Sequence, residues 1–114
     1  MILEISGKTI ETNEQGYLHN LDDWSEAFAS EIAKRDRIKL YTDHWELIMY
    51  FHDYYSENQT SPTMHTIVRT LGNMKGDRFH NQKEYEKHIY NLFPVDPIHE
   101  ICKLAGLPMP PQDT

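Results

Sequence analysis

Hydrophobic residues recur at three- and four-residue spacing over most of the chain, which is the pattern of amphipathic helices. Five stretches show it, and polar, proline or glycine residues separate them. The predicted helices span residues 21–36, 43–55, 62–71, 82–92 and 97–105. The fold is therefore predicted to be mainly α.

The first twelve residues follow a different pattern. β-branched residues lie on both sides of the pair Gly7-Lys8, and a glycine tolerates the positive φ of a tight turn. This predicts an N-terminal β-hairpin. A lone hairpin is marginal in water, so it must pack on the helices.

Short polar residues and glycines support the predicted helix ends. The predicted N-caps are Asn20, Thr42, Ser61, Asn81 and Asp96, and the predicted stops are Gly72 and Gly106. In the second helix the core face is predicted to carry Trp45, Ile48, Met49, His52 and Tyr55. In the last helix it is predicted to carry Ile98, Ile101, Cys102 and Ala105.

At 114 residues the chain is long enough for one core but not for two. We expect a single domain over residues 1–108. After Gly106 the prolines at 108, 110 and 111 prevent a further helix, so residues 109–114 are predicted to form a flexible tail.

Composition limits the cellular compartment in which the protein is expected and the kinds of partner that it could bind. No segment is apolar enough to span a bilayer and only one cysteine is present, so we expect a cytoplasmic protein without a membrane partner. The net charge of −7 disfavours nucleic acid in general. Residues 62–92, however, carry five basic and three acidic residues, and their two helices could form a DNA-binding unit.

No motif for catalysis or a cofactor is apparent. The seven histidines include no pair three or four residues apart, so no metal site and no cofactor are predicted. His99 lies three residues before Cys102 and could lower the pKa of its thiol. The alternative is that Cys102 is a small buried apolar residue, since it lies on the apolar face.

Several short motifs together resemble the DsrC/TusE family, which contains the gamma subunit of dissimilatory sulfite reductase and the TusE protein of tRNA thiolation. They occur in the same order and at similar spacing over nearly the whole chain. They are Gly16-Tyr17-Leu18, Asp22-Asp23-Trp24, His44-Trp45-Glu46, Tyr54-Tyr55, Ser61-Pro62, Leu92-Phe93-Pro94 and the run from Cys102 to Pro108.

The resemblance implies a hairpin, a compact helical bundle and a mobile C-terminal arm. In the family a penultimate cysteine on the arm carries sulfur, and a second cysteine can lie in the last helix. Cys102 matches the second position and is the candidate sulfur acceptor, whereas Asp113 occupies the arm position. A carboxylate cannot carry sulfane sulfur. His65 and Arg69 match the basic positions that flank the arm and could receive an anionic tail.

Two functions follow from this reading. The first is a non-enzymatic protein of a sulfur-relay or sulfur-oxidation pathway that contacts a sulfite reductase-like or sulfurtransferase-like partner. The alternative is a regulatory relative that binds DNA or a redox partner through its third and fourth helices. A stand-alone enzyme has no supporting group of residues.

Overall fold

The computed structural model describes residues 1–74, 79 and 81–110. Within them a two-stranded antiparallel sheet is followed by a short 3₁₀ helix and five α-helices. The strands are β1 (Ile2–Ile5) and β2 (Lys8–Glu11). The helices are α1 (Glu26–Arg35), α2 (Thr42–Asn58), α3 (Met64–Met74), α4 (Gln82–Leu92) and α5 (Pro97–Leu104). The predicted fold class is confirmed.

The hairpin turns one residue earlier than predicted. Ser6 and Gly7 both have positive φ, of 53° and 79°, as a two-residue type I′ turn requires. Lys8 is therefore the first residue of β2 and pairs with Ile5. Ile5 and Ile10 are buried, so one face of the hairpin joins the core.

The first predicted helix is divided into two. Asn20 does act as a cap, but only for a 3₁₀ helix at Leu21–Asp23. Trp24 is extended, and the Ser25 hydroxyl then accepts a hydrogen bond from the Phe28 amide at 3.1 Å and starts α1. Apolar spacing cannot reveal this break, because Ser25 supplies a second cap inside the periodic stretch.

The core face of α2 lies about one position from the predicted one. Its buried residues are His44, Leu47, Ile48 and Phe51. Of the predicted face only Ile48 is fully buried, while Trp45, Met49, His52 and Tyr55 are half-buried at its edge. The helix also starts at Thr42, with Tyr41 as its N-cap.

Buried His44 joins two helices. Its Nδ1 accepts the Tyr41 amide hydrogen at 3.2 Å, and its Nε2 lies 3.0 Å from the Leu92 carbonyl at the end of α4. Since a carbonyl only accepts, Nε2 carries the proton. Burial lowers the pKa of His44, so the ring is a neutral structural link.

The third helix starts later and ends later than predicted. Thr63, not Ser61, caps it, because its hydroxyl accepts the Thr66 amide hydrogen at 3.2 Å. The helix continues through Gly72, which packs against the ring of Tyr85 in α4. The predicted caps of α4 and α5 are confirmed, since Asn81 and Asp96 accept hydrogen bonds from amides three residues later.

The last helix lies at the centre of the fold. α5 contacts α1, α2 and α4, and its predicted core face is buried as expected. Phe28 of α1, Phe51 of α2 and Ile89 of α4 surround it and are fully buried. The inward-facing residues of α5 are therefore shielded from water.

Candidate functional site

Cys102 lies on the inner face of α5 with none of its surface exposed. Burial raises the pKa of its thiol to about 12, although a hydrogen bond with Ser61 opposes the shift. At neutral pH only about one molecule in 10⁵ then carries the nucleophilic thiolate. The predicted burial of Cys102 is confirmed, and the thiol is neither reachable nor activated in the folded state.

His99 does not lower the pKa of this thiol, which is raised, so of the two alternatives for Cys102 the buried apolar residue is the one the structure supports. The His99 Nδ1 lies 3.1 Å from the Asp96 carboxylate, at the start of the same helix. Its backbone carbonyl accepts a hydrogen bond from the Tyr17 hydroxyl at 3.1 Å. His99 therefore holds the first turn of α5 against the N-terminal segment.

The C-terminal arm leaves α5 through a Schellman motif. The Leu107 amide donates to the Cys102 carbonyl at 2.9 Å, and the Gly106 amide donates to the Lys103 carbonyl at 3.2 Å. This pattern needs a left-handed backbone at the residue directly after the C-cap, and Gly106, which occupies that position, has a φ of +75°. The direction in which the arm leaves the helix is therefore set at Gly106.

Two aromatic side chains from outside α5 contact the backbone at the end of this helix. The Trp24 indole donates to the Leu104 carbonyl at 2.8 Å, and the His52 Nδ1 lies 3.1 Å from the Ala105 carbonyl. The two rings stack, with centroids 4.1 Å apart. A Cβ on Gly106 would lie 2.4 Å from Trp24 Cδ1, so only glycine fits beneath the indole. We call Trp24, His52 and Gly106 the arm clamp.

A cavity of about 470 Å³ opens beside the arm clamp. Leu21, Tyr55, Gln59 and Leu107 are among the residues that line it. The chain then continues along the end of α2, where residues 108–110 lie near Tyr55, Gln59, Thr60 and Ser61. Met109 is exposed, whereas Pro110 is buried. The arm thus begins along a defined surface.

A second polar group involves Glu100 and Lys103 of α5 and Asp36 at the end of α1. The Lys103 ammonium is 2.9 Å from Asp36 Oδ2 and 3.7 Å from Glu100 Oε1. Burial and the neighbouring Asp36 raise the pKa of Glu100 to about 7, and its Oε2 is buried without a hydrogen bond. Burial alone would raise the pKa of Asp36, but Glu100 and Lys103 outweigh it and the pKa is lowered. Below about pH 7 the two carboxyls therefore share one proton, which Glu100 holds.

Comparison with known proteins identifies the family. A sequence profile described as "DsrC like protein" matches residues 4–112. Sulfurtransferase TusE of Photorhabdus laumondii is 38% identical over 110 residues, which are 96% of this chain and 96% of that protein. The chain belongs to the DsrC/TusE family.

Solved structures of DsrC/TusE proteins share the fold. DsrC of Allochromatium vinosum superposes with a TM-score of 0.80 and 34% identity, over 97% of each chain. The oxidized gamma-subunit of dissimilatory sulfite reductase (DsrC) from Archaeoglobus fulgidus gives a TM-score of 0.76 and 31% identity, again over 97% of each chain. The family resemblance noted in the sequence is thereby confirmed. None of these names supports the DNA-binding alternative.

The predicted DsrC/TusE arm residues are only partly described. Asp113, which the sequence resemblance predicts to occupy the family's arm cysteine position, lies outside the described residues, as do Lys75 and Arg78 of the basic segment. His65 and Arg69 are exposed on one face of α3. Neither lines the surface that residues 108–110 follow. Their role as receivers of the tail stays a prediction, and so does the flexibility of residues 109–114.

Sequence reasoning about this DsrC/TusE chain missed the arm clamp. Trp24 and Gly106 both lie in the recognised motifs, but 80 residues separate the indole from its carbonyl partner. Periodicity predicts which residues are buried and does not predict such pairs. A glycine directly after an apolar helix was the available signal, and it indicated only the helix end.

The described part of the chain has no feature typical of a metal site or of a membrane-spanning helix. No group of three metal-ligating side chains occurs there. His88, for example, forms a 2.8 Å contact with Asp43. Among the described helices, none has the length and apolar character that crossing a membrane requires. The cytoplasmic location stays a prediction.

Proposed function

We propose that this DsrC/TusE protein acts in a sulfur-relay or sulfur-oxidation pathway by contacting a partner protein, without carrying persulfide on the arm. The observation that carries the proposal is the complete burial of Cys102, the only cysteine in the sequence. Relatives of this chain are named sulfurtransferase TusE and the gamma subunit of dissimilatory sulfite reductase. A partner of either kind is therefore the best-supported one.

The chemistry of sulfur relay supports this proposal. A carrier accepts sulfane sulfur when its thiolate attacks a donor persulfide, so that one S–S bond forms, one breaks and the donor returns to a thiolate. Cys102 is buried and its thiol pKa is raised to about 12. Asp113 offers a carboxylate at the position that the family uses. The usual transfer route therefore lacks a nucleophile.

The arm remains available as a contact element in this proposal. The arm clamp retains the backbone geometry that directs the chain away from α5. Pro108 and Pro110 stiffen the described start of the arm without adding a helix. A stiff segment loses less conformational entropy when it binds. We infer that the partner recognises the arm, whose Asp113 adds negative charge.

Intact-protein mass spectrometry tests whether the chain accepts sulfur. The full chain is incubated with a cysteine desulfurase and cysteine, and its mass should not change. The Asp113→Cys variant should gain one sulfur atom, and it should still do so in a Cys102→Ala background. That double variant is the matched control, because its only thiol lies on the arm.

A stable sulfur adduct on Cys102 of the unaltered chain, passed on to an acceptor protein, would contradict the proposal. Contact with the partner needs its own measurement. Binding to a sulfite reductase-like or sulfurtransferase-like complex from the same genome should be lost when residues 109–114 are removed. Equal binding by the full and shortened chains would show that the arm is not the contact element.

A further inference from the structure

A groove that no described arm residue lines has no role in the function proposed above. It lies between α1 and the start of α2 and has a volume of about 540 Å³. Apolar side chains form its floor, namely Ile38, Leu40 and Trp45, all of which are partly buried. A volume in this range can take a large side chain or a small ligand.

Basic residues surround this apolar floor. Lys34, Arg37 and Lys39 line the groove and are exposed, and none forms an ion pair with a described residue. None of the eight described residues that line the groove is acidic. Asp36, the one acid in this segment, is engaged by Lys103 on another side. Among the described residues, therefore, no acid neutralises these three cations.

The local charge contrasts with that of the rest of the protein. Residues 34–39 contain four cations and one acid, a net charge of +3, so the other residues of the chain carry −10. Such a concentration of positive charge attracts anions to this one surface and repels them elsewhere. An anionic partner would be guided to the groove.

Arg37 also occupies a costly backbone position. It has a φ of 61°, and it lies at the left-handed position of a second Schellman motif, in which the Ile38 amide donates to the Ala33 carbonyl at 2.8 Å. Glycine is the residue that takes this conformation without strain, and a side chain costs roughly 1 kcal/mol there. An arginine at this position is consistent with a use for its charge.

We propose that this groove binds an acidic segment of a partner protein that inserts one large apolar side chain. The floor of Ile38, Leu40 and Trp45 would hold the apolar group, while Lys34, Arg37 and Lys39 pair with flanking carboxylates. The apolar floor favours a protein segment over nucleic acid, because phosphates gain nothing from it and the remaining charge of −10 repels a long polyanion. The proposal does not depend on the arm or on Cys102.

Binding is tested with the full chain and three synthetic peptides. The first carries a tryptophan between glutamates, the second has alanine in place of the tryptophan, and the third has lysines in place of the glutamates. The first should bind and shift amide resonances of residues 34–45 in nuclear magnetic resonance spectra. The other two should bind at least about tenfold more weakly.

Charge-reversal variants locate the site. The double variant Arg37→Glu/Lys39→Glu should weaken binding of the first peptide by at least about tenfold. The matched control is Lys83→Glu/Lys87→Glu on α4, which changes the net charge equally at exposed positions outside the groove. It should leave the affinity within about twofold. Circular dichroism verifies that both variants fold.

Four results would overturn the proposal. One is no resonance shift in the groove with the first peptide at about 1 mM, and another is equal binding of the alanine peptide. A third is equal weakening by the two double variants, which would indicate unspecific attraction. The fourth is transfer RNA that binds more tightly than the peptide with the same dependence on Arg37 and Lys39, which would assign the groove to nucleic acid.

Discussion

Replacing Gly106 with alanine should destabilise the protein much more than an ordinary glycine substitution. Gly106 combines a φ of +75° with a close approach of the Trp24 ring. The new Cβ would lie 2.4 Å from Trp24 Cδ1, far inside van der Waals contact. The indole must therefore move away from the Leu104 carbonyl and from His52.

The magnitude follows from three contributions. A side chain in the left-handed region costs about 1–2 kcal/mol. The indole hydrogen bond to the Leu104 carbonyl is worth about 1 kcal/mol, and the stacking of Trp24 on His52 is worth about 0.5–1.5 kcal/mol. The lower entropy of the unfolded alanine chain offsets less than about 1 kcal/mol. The free energy of unfolding should therefore fall by about 2–4 kcal/mol, which corresponds to a Tm about 8–15 °C lower.

Urea and thermal unfolding followed by circular dichroism measure this loss. Gly7→Ala is the matched control, since Gly7 has a φ of +79° but no atom within 4 Å of a new Cβ. It should cost only the backbone strain, about 1 kcal/mol. The Trp24 indole N–H resonance should shift in Gly106→Ala and stay unchanged in Gly7→Ala.

Equal losses for the two variants would refute this reasoning. They would mean that Trp24 can move without cost and that the arm clamp contributes nothing to stability. An unchanged indole resonance in Gly106→Ala would lead to the same conclusion. If Gly106→Ala showed neither a shift of the indole resonance nor a loss of stability, the only role left for Gly106 would be to end the helix.

Two further predictions concern the groups on α5. Cys102 should react with an alkylating reagent at neutral pH at least about a thousandfold more slowly than a free cysteine, because it is buried and its thiol pKa is about 12; labelling as fast as the free amino acid would contradict this. Glu100 has a pKa raised from 4.5 to about 7, so the folded state binds its proton more tightly and stability should fall as pH rises between these values. Glu100→Gln keeps the neutral form and should recover about 1–2 kcal/mol above neutral pH, with little effect near pH 5. Asp36 acts in the opposite sense, because its lowered pKa stabilises the folded state. This stabilisation is lost only as the pH falls below the ordinary Asp36 pKa of 3.8. A stability difference between the unaltered chain and Glu100→Gln that stays constant from pH 5 to about 8 would show that Glu100 is ionised in the folded state.

The arm clamp connects the fold to the proposed function. A contact segment is useful only if it leaves the domain in a constant direction, and Gly106 with Trp24 provides that direction at the last helical turn. The same packing that buries Cys102 also holds the clamp in place, because both lie on α5. The burial of Cys102 and the fixed exit of the arm are therefore compatible in one structure.

Local sequence was sufficient wherever the decisive interaction joins residues close in the chain. Asn81 and Asp96 start their helices by bonding amides three residues later, and Gly106 ends α5 by its own left-handed backbone. The apolar face of α5, Cys102 included, was predicted correctly because that helix is short and has one clearly apolar side. The family motifs likewise can be read in the sequence.

Only the tertiary structure shows those contacts whose two residues lie far apart in the sequence. The core face of α2 contains His44 because the Leu92 carbonyl, 48 residues away, pairs with its ring. Trp24 leaves the predicted first helix and bonds the end of α5, and the pKa of Glu100 is raised because folding buries its carboxyl and places Asp36 beside it. Helical periodicity shows at which spacing apolar residues recur, but it does not show which residues they contact in the folded protein. These contacts arise when the helices pack and single polar groups lose water or gain a partner.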